Sequence, residues 1–253
     1  MSLYLLVSMA VFFIAFIFSM LGLGGALLYI PIFKWFGFDF KSVAIPTGLF
    51  LNGITALSAS IYYLRAGLVD IRGSLPMVVA SLIGAPIGAY FTGFIDTQVL
   101  IILFSIAMIM AGLRMLSTSN QVESTYLMPF PQRAFITAIA SFFIGLIAGL
   151  LGIGGGFLFV PLLIAVGFPT KKAAATCSFI VVFSSFAGFL GHVAEGRFDP
   201  KLLLTSTVAV ILGAQLGARF MRHKMKPRWI KRLFGVLLIA VALKLISRAL
   251  GLL

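Results

Sequence analysis

Two glycine-rich elements are the residues of this sequence best suited to bind a ligand. The first reads Gly22-Leu-Gly-Gly-Ala-Leu-Leu-Tyr-Ile-Pro31, and the second reads Gly152-Ile-Gly-Gly-Gly-Phe-Leu-Phe-Val-Pro161. Each follows an apolar run and precedes a short apolar segment. Because glycine adopts backbone angles that other residues avoid, each element predicts a break between two helices. The N–H groups that open the second helix, with the positive end of its dipole, would then form an anion site.

Hydroxyl, thiol and amide side chains follow each glycine element. They could complete the hydrogen bonds of an anion or bond one helix to another, and the sequence leaves both roles open. The lone cysteine excludes an internal disulfide and is interpreted as a small buried residue. The predicted substrate-binding residues are Gly22, Gly24, Gly25, Ala26, Thr47 and Asn52 in the first half, and Gly152, Gly154, Gly155, Gly156, Thr176, Cys177 and Ser178 in the second.

Ionisable side chains inside the apolar runs, the usual mark of a proton pathway, are scarce. His192 and Glu195, which follow the seventh long run closely, are the candidates for proton coupling. We expect Asp70 and Asp199 to form loop salt bridges with neighbouring arginines. The sequence has no His/Cys/carboxylate set with metal spacing and no nucleophile elbow or triad, so we expect no metal, no cofactor and no enzyme activity.

Two other uses of glycine compete with the anion site. Close packing of membrane helices needs small residues, and the pairs Gly84/Gly88 and Gly213/Gly217 fit that use. A nucleotide-binding loop would be followed by Lys and then Ser or Thr within a βαβ unit, and this sequence offers neither.

Composition makes lipid the main solvent of this chain. Of its 253 residues, 61% are hydrophobic and only 10% are charged, whereas a soluble domain carries about 25% charged residues. The first run lacks the basic start and clear cleavage site of a signal peptide, so we expect it to remain as a helix. Eight runs can cross a bilayer and two are too short; they cover about 3–21, 26–33, 43–64, 73–95, 98–116, 133–151, 157–166, 173–191, 201–218 and 233–250.

The second half of the chain repeats the first. The two glycine elements begin at positions 22 and 152, and the same offset relates Lys41 to Lys171. We therefore predict two homologous repeats and divide the chain into a first repeat at 1–116, a linker at 117–132 and a second repeat at 133–253.

Basic residues give the expected orientation. The formal net charge is +13, and seven of the 19 Lys and Arg residues lie in 219–232, which is typical of a cytoplasmic loop rather than a nucleic-acid site. Inverted halves would place 13 basic residues on one side and 6 on the other, and parallel halves would place 11 and 8. We expect inverted halves in the inner membrane, with both termini outside. The loops on the basic side would lie near 65–72, 114–133, 167–172 and 219–232.

The paired glycine-proline elements resemble the hallmark of the sulfite exporter TauE/SafE family, also called the toluene-sulfonate uptake permease family. Ala174 to Ser178 is similar to an Ala-Thr-Ser element of that family, from which Pro46-Thr47-Gly48 departs. The resemblance covers both halves. It implies a secondary transporter for sulfite, sulfonates or related sulfur-containing anions, with a central site between duplicated halves.

Together these features predict an all-α polytopic membrane protein of about eight long helices and two short broken helices. We expect it to carry a small sulfur-containing anion by alternating access. Its expected partners are that anion, a proton as the default coupling ion and the lipid bilayer. A passive anion channel, with flux that does not saturate, is one alternative. The other is a non-transporting scaffold, which the small amount of chain outside the apolar runs disfavours.

Overall fold

The computed structural model describes residues 3–91, 97–121, 123, 127–151, 156–192 and 198–249. These residues form ten α-helices and a π-helical segment, Phe40–Ala44, and contain no strand. The helices are α1 (Leu3–Leu21), α2 (Ala26–Trp35), α3 (Ile45–Arg65), α4 (Ile71–Phe91), α5 (Thr97–Ser117), α6 (Phe130–Leu151), α7 (Gly156–Ala165), α8 (Thr170–His192), α9 (Pro200–Lys224) and α10 (Pro227–Ala249).

Within the described part, eight helices are long and two are short, as the apolar runs predict. Six of the long helices have the length and apolar composition needed to cross a membrane. The short helices α2 and α7 have 10 residues each. At about 1.5 Å per residue, each covers only about half of a hydrocarbon core that is about 30 Å thick. The prediction of a polytopic all-α membrane protein is confirmed.

The basic stretch 219–232 differs from the prediction. The sequence predicts a loop here, but α9 continues to Lys224 and α10 begins at Pro227. Arg222, His223 and Lys224 form the last turn of α9, where the negative end of the helix dipole stabilises cations. The connection between the two helices is therefore only residues 225 and 226. Proline suits the first position of α10 because that position has no intrahelical N–H bond to lose.

Corresponding helices of the two halves pair with opposite directions. Leu49 of α3 is the nearest side chain to Gly188 of α8, and Asn52 bonds to Ser185. A later residue of α3 thus meets an earlier residue of α8, so the two helices run antiparallel. The pair α5 and α10 runs antiparallel as well, with Gly112 against Ile239 and Leu116 against Gly235.

The other two main helix pairs depend on glycine. A Cβ atom at any of four glycines would overlap a backbone carbonyl of the partner helix. In both pairs, a step of four residues toward the C-terminus of one helix corresponds to the same step toward the C-terminus of its partner. The two helices of each pair therefore run parallel. The packing role predicted for these glycines is confirmed; they are Gly84 and Gly88 of α4, against Phe142 and Leu146 of α6, and Gly213 and Gly217 of α9, against Phe12 and Phe16 of α1.

Four connections meet at one end of the bundle, which we call the basic end: α3–α4, α5–α6, α7–α8 and α9–α10. The backbone N–H of Thr170 donates to the Glu123 carboxylate at 2.6 Å. Lys171 donates to the carbonyl of Arg222 at 2.8 Å. Lys231 donates to the carbonyl of Thr118 at 3.2 Å. The loops predicted to share one side therefore lie together.

Of the two loop aspartates, Asp70 has a partner other than the one expected, and the arginine nearest to Asp199, Arg197, lies outside the described residues. Asp70 pairs with Arg133 of α6 at 3.5 Å instead of an arginine adjacent in sequence. Asp199 lies at the opposite end of the bundle, where its carboxylate caps α9 and accepts a hydrogen bond from the Tyr4 hydroxyl at 2.8 Å. Each carboxylate thus joins helices that are distant in the sequence.

Candidate functional site

The first glycine element forms the predicted break between α1 and α2. Gly22 and Gly24 have φ values of 77° and 84°, in the left-handed region that favours glycine. A Cβ atom on Gly22 would also overlap the carbonyl of Ala174 in α8, and one on Gly24 would overlap the side chain of Asn52. Both positions therefore need glycine for backbone conformation and for space.

Asn52 of α3 occupies the break. Its side-chain oxygen accepts the backbone N–H of Gly25 and, at 2.7 Å, that of Ala26. Its amide nitrogen donates to the Ser185 hydroxyl of α8 at 2.6 Å. Asn52 and Ser185 are both fully buried. The N–H groups predicted to bind an anion are thus satisfied by a neutral oxygen of the protein, and Asn52 bonds helix to helix.

Two further polar residues, absent from the sequence prediction, lie beside Asn52. The hydroxyls of Tyr29 and Thr55 are 2.9 Å apart, and Thr55 also donates to the carbonyl of Leu51 at 2.7 Å. Both side chains are fully buried. Thr55 and Ser185 are 130 residues apart, which is the offset between the two glycine elements. A search for hydroxyl residues at matching positions of the two halves could therefore have found Thr55.

The second glycine element is described only from Gly156 onward. Gly152, Gly154 and Gly155 lie outside the described residues, and their binding role stays a prediction. Gly156 opens α7, and a Cβ atom on it would lie 2.9 Å from the carbonyl oxygen of Leu23. The two glycine elements therefore contact each other through Leu23 and Gly156.

Cys177 lies against this contact. Its thiol donates to the carbonyl of Gly156 at 3.4 Å, and the side chain is fully buried. The interpretation of Cys177 as a small buried residue is confirmed, and its position joins α8 to the start of α7.

The structure divides the predicted hydroxyls among different partners. Thr176 accepts the backbone N–H of Asp70 at 3.1 Å, which directs it to the basic end instead of the Asn52 contact. Ser178 donates to the carbonyl of Ala174 at 3.3 Å, one turn earlier in its own helix. The Thr47 hydroxyl is buried and has no hydrogen-bond partner among the described residues. Thr47 thus keeps hydrogen-bonding capacity that a ligand could use.

His192 ends α8 at the border of a small cavity. The cavity lies next to the last residues of α6, just before the second glycine element, and Glu195 lies outside the described residues. The other residues that line it are Leu49, Ala85, Ala148, Gly149, Ser184 and Gly188.

Comparison with known proteins decides the family. The family model described as "Sulfite exporter TauE/SafE" matches residues 7–245, nearly the whole chain. The chain belongs to this family. No solved structure matches the chain.

Two relatives are similar along most of the chain, and a third is similar along part of it. YunE of Bacillus subtilis (strain 168), named a probable membrane transporter protein, is 28% identical over 251 residues, which cover 90% of this chain and 92% of YunE. MJ0441 of Methanocaldococcus jannaschii, also named a probable membrane transporter protein, is 25% identical and covers 87% and 86% of the two chains. Sulfite exporter TauE/SafE family protein 6 of Arabidopsis thaliana is 33% identical over 104 residues, 41% of this chain and 24% of that protein.

This TauE/SafE chain is therefore a multi-pass membrane transporter and not an enzyme. A transporter needs a small-molecule substrate and a membrane, and the scaffold alternative is not supported.

Proposed function

We propose that this TauE/SafE protein is a secondary carrier that moves a small sulfur-containing anion, such as sulfite or a sulfonate, across the inner membrane by alternating access. The family description supports the substrate class. The observation that carries the site is the convergence of the Gly25 and Ala26 N–H groups on one buried oxygen, that of Asn52.

An oxyanion oxygen takes the place of the Asn52 oxygen in this proposal. Both oxygens accept N–H bonds, and a charged acceptor makes such bonds roughly twice as strong as a neutral one. The start of α2 also carries the positive end of its dipole, which favours negative charge. Backbone groups can therefore bind the anion without a lysine or arginine in the centre of the bundle. The Thr47 hydroxyl, which has no hydrogen-bond partner among the described residues, is proposed as a further donor.

Two contacts at the centre join the halves and must change when the site opens. One is the bond between Asn52 and Ser185, and the other is the approach of Leu23 to Gly156. The complete burial of Asn52, Thr55 and Ser185 supports an occluded carrier site over an open pore. Rocking of the halves exposes such a site to one side of the membrane at a time.

The helix directions support inverted repeats. Corresponding helices run antiparallel in both central pairs, α3 with α8 and α5 with α10, which is expected if the second half is turned over in the membrane. The proposed repeats are 1–116 and 133–253, joined by 117–132. The excess of basic residues at the basic end supports a cytoplasmic location for that end and an outside location for both termini. Proton coupling through His192 or Glu195 stays a prediction.

Anion-driven current in proteoliposomes tests the proposed function. The assay compares sulfite, sulfate, thiosulfate, sulfoacetate, taurine and chloride, with and without a pH gradient. Current that saturates for a sulfur anion is expected. Flux that rises linearly with concentration would favour the channel. Silence for every sulfur compound, with folded protein in the vesicles, would overturn the substrate class.

A further inference from the structure

A groove at the basic end lies between α1 and α9, apart from the central site. Its volume is about 780 Å³. Phe16 of α1 and Phe220 of α9 meet in it with ring centroids 5.9 Å apart. Phe16, Leu216 and Phe220 give the groove an apolar part, and Arg219, His223 and Lys224 give it a cationic part.

The outer surface of α9 continues the apolar part along the helix. Leu212, Leu216, Phe220 and Lys224 follow one another at four-residue spacing, and all four are exposed. Residues at this spacing lie on one ridge of a helix. The row is about 18 Å long, at about 1.5 Å per residue, and changes from apolar side chains to an ammonium group at the basic end.

The cations of this groove have no carboxylate partner among the described residues. The stretch 219–232 contains seven Lys and Arg residues and no Asp or Glu. The two acidic side chains described at the basic end are already engaged, Asp70 by Arg133 and Glu123 by the Thr170 N–H. No described carboxylate therefore competes with an external anion for Arg219 and Lys224.

We propose that this groove binds an anionic phospholipid. The headgroup phosphate lies between Arg219 and Lys224, and an acyl chain lies along Phe220, Leu216 and Leu212. Basic pockets between membrane helices on the cytoplasmic side suit anionic headgroups. A free sulfur anion would use the cations alone and leave the apolar row without an occupant, so the combined surface selects a lipid. His223 is held beside the site by the Tyr62 hydroxyl, 3.2 Å from its Nε2 atom.

A second groove, between α4 and α6, provides an internal comparison. Its volume, about 820 Å³, is similar, but Arg72 is the one cation among the residues that line it. The guanidinium of Arg72 also lies over the Phe130 ring, 5.1 Å from its centroid. We expect this groove to take lipid acyl chains with little preference for headgroup charge.

Native mass spectrometry of the full chain with phosphatidylglycerol and phosphatidylcholine tests the proposal. The groove variant is Arg219→Gln/Lys224→Gln. The control is Lys226→Gln/Arg228→Gln, which removes the same charge from the same end without touching the groove. Wild type is expected to retain phosphatidylglycerol in preference to phosphatidylcholine. The groove variant should bind phosphatidylglycerol about thirtyfold more weakly, since two cations near a membrane surface contribute about 1 kcal/mol each, and the control should keep wild-type affinity.

Three results would overturn the lipid site. Equal losses in the two variants would mean that general charge attracts the lipid. Equal retention of both lipids by wild type would mean that the groove does not distinguish an anionic headgroup from a zwitterionic one. Displacement of phosphatidylglycerol by millimolar sulfate or sulfite would make the cations a site for a free anion. None of these readouts depends on transport, so failure here and failure of the proposed carrier function can be told apart.

Discussion

The side-chain oxygen of Asn52 lies 2.7 Å from the backbone nitrogen of Ala26 and also accepts the N–H of Gly25. This places an amide oxygen of α3 at the amino end of α2, inside a glycine break where the backbone has lost its helical partners. The same amide reaches across to Ser185 of the second half. One side chain therefore closes the first break and joins α3 to α8.

Replacing Asn52 by leucine should destabilise the protein and stop transport. The N–H groups of Gly25 and Ala26 would lose their acceptor in a buried site, and an unsatisfied buried donor costs about 1–3 kcal/mol. The expected result is a lower midpoint of unfolding in detergent together with loss of anion current in proteoliposomes. An unchanged midpoint would show that Asn52 does not satisfy these N–H groups.

Alanine substitutions at two buried glycines should differ in their effect on stability. Gly24→Ala forces a positive φ on a residue with a Cβ atom, which costs about 1–3 kcal/mol, and pushes against the Asn52 amide. Gly188→Ala is the matched control, because its nearest neighbour atom would be 3.7 Å away, and alanine favours the helix by about 1 kcal/mol. Thermal unfolding should show a clear decrease for the first variant and none for the second. Equal midpoints for the two would contradict the positive-φ turn.

Removing Asp70 should cost more stability than removing Arg133. The Arg133 side chain is only 8% exposed and lies over the Phe168 ring, 4.9 Å from its centroid. Asp70→Ala leaves that guanidinium buried without its carboxylate, whereas Arg133→Met removes the charge and keeps much of the packing volume. Chemical unfolding of both variants measures the difference. If Arg133→Met were the less stable variant, the claim that an unpaired Arg133 guanidinium costs more than its removal would be wrong.

Acid should remove the contribution of Asp199 to stability. Burial alone would raise the pKa of Asp199, but hydrogen bonds from the Tyr4 hydroxyl and from the Leu202 and Lys201 N–H groups, with the Lys201 charge, hold it below its usual value. A lowered pKa in the folded state stabilises the protein above the unfolded pKa of about 3.9. That stabilisation is lost as the pH falls through the folded pKa.

The matching experiment compares unfolding midpoints of wild type and Tyr4→Phe between pH 3 and 7. Wild type should be the more stable protein at pH 6, and the difference should shrink below about pH 4. A difference that grows on acidification would contradict the sign of this pKa shift.

Much of this fold could be predicted because apolar runs and glycines act locally. The long and short runs became long and short helices, and the four packing glycines met backbone carbonyls of neighbouring helices. The contact of Asn52 with Gly25 could not be predicted in this way, since it depends on how α3 packs against α2 across 27 positions of sequence. Sequence left the role of Asn52 open between ligand binding and helix bonding.

The helical form of the 219–232 stretch was missed for a different reason. The density of charge in this stretch predicts a loop, although Lys, Arg and Met are good helix formers. The cations also lie where the end of α9 favours them. Charge alone therefore indicated the side of the membrane but not the backbone conformation.

Anion-driven current of the Asn52→Asp variant, measured beside wild type with the same sulfur anions, tests the central claim most directly. Aspartate keeps an oxygen for the Gly25 and Ala26 N–H groups and can accept a bond from the Ser185 hydroxyl, so the fold should be retained. Its negative charge, however, would occupy the proposed anion position. We predict a variant that still folds, with an unfolding midpoint lowered by burial of the carboxylate, and loss of the saturable current. Wild-type current from a folded Asn52→Asp protein would contradict the proposal that the anion takes the place of the Asn52 oxygen.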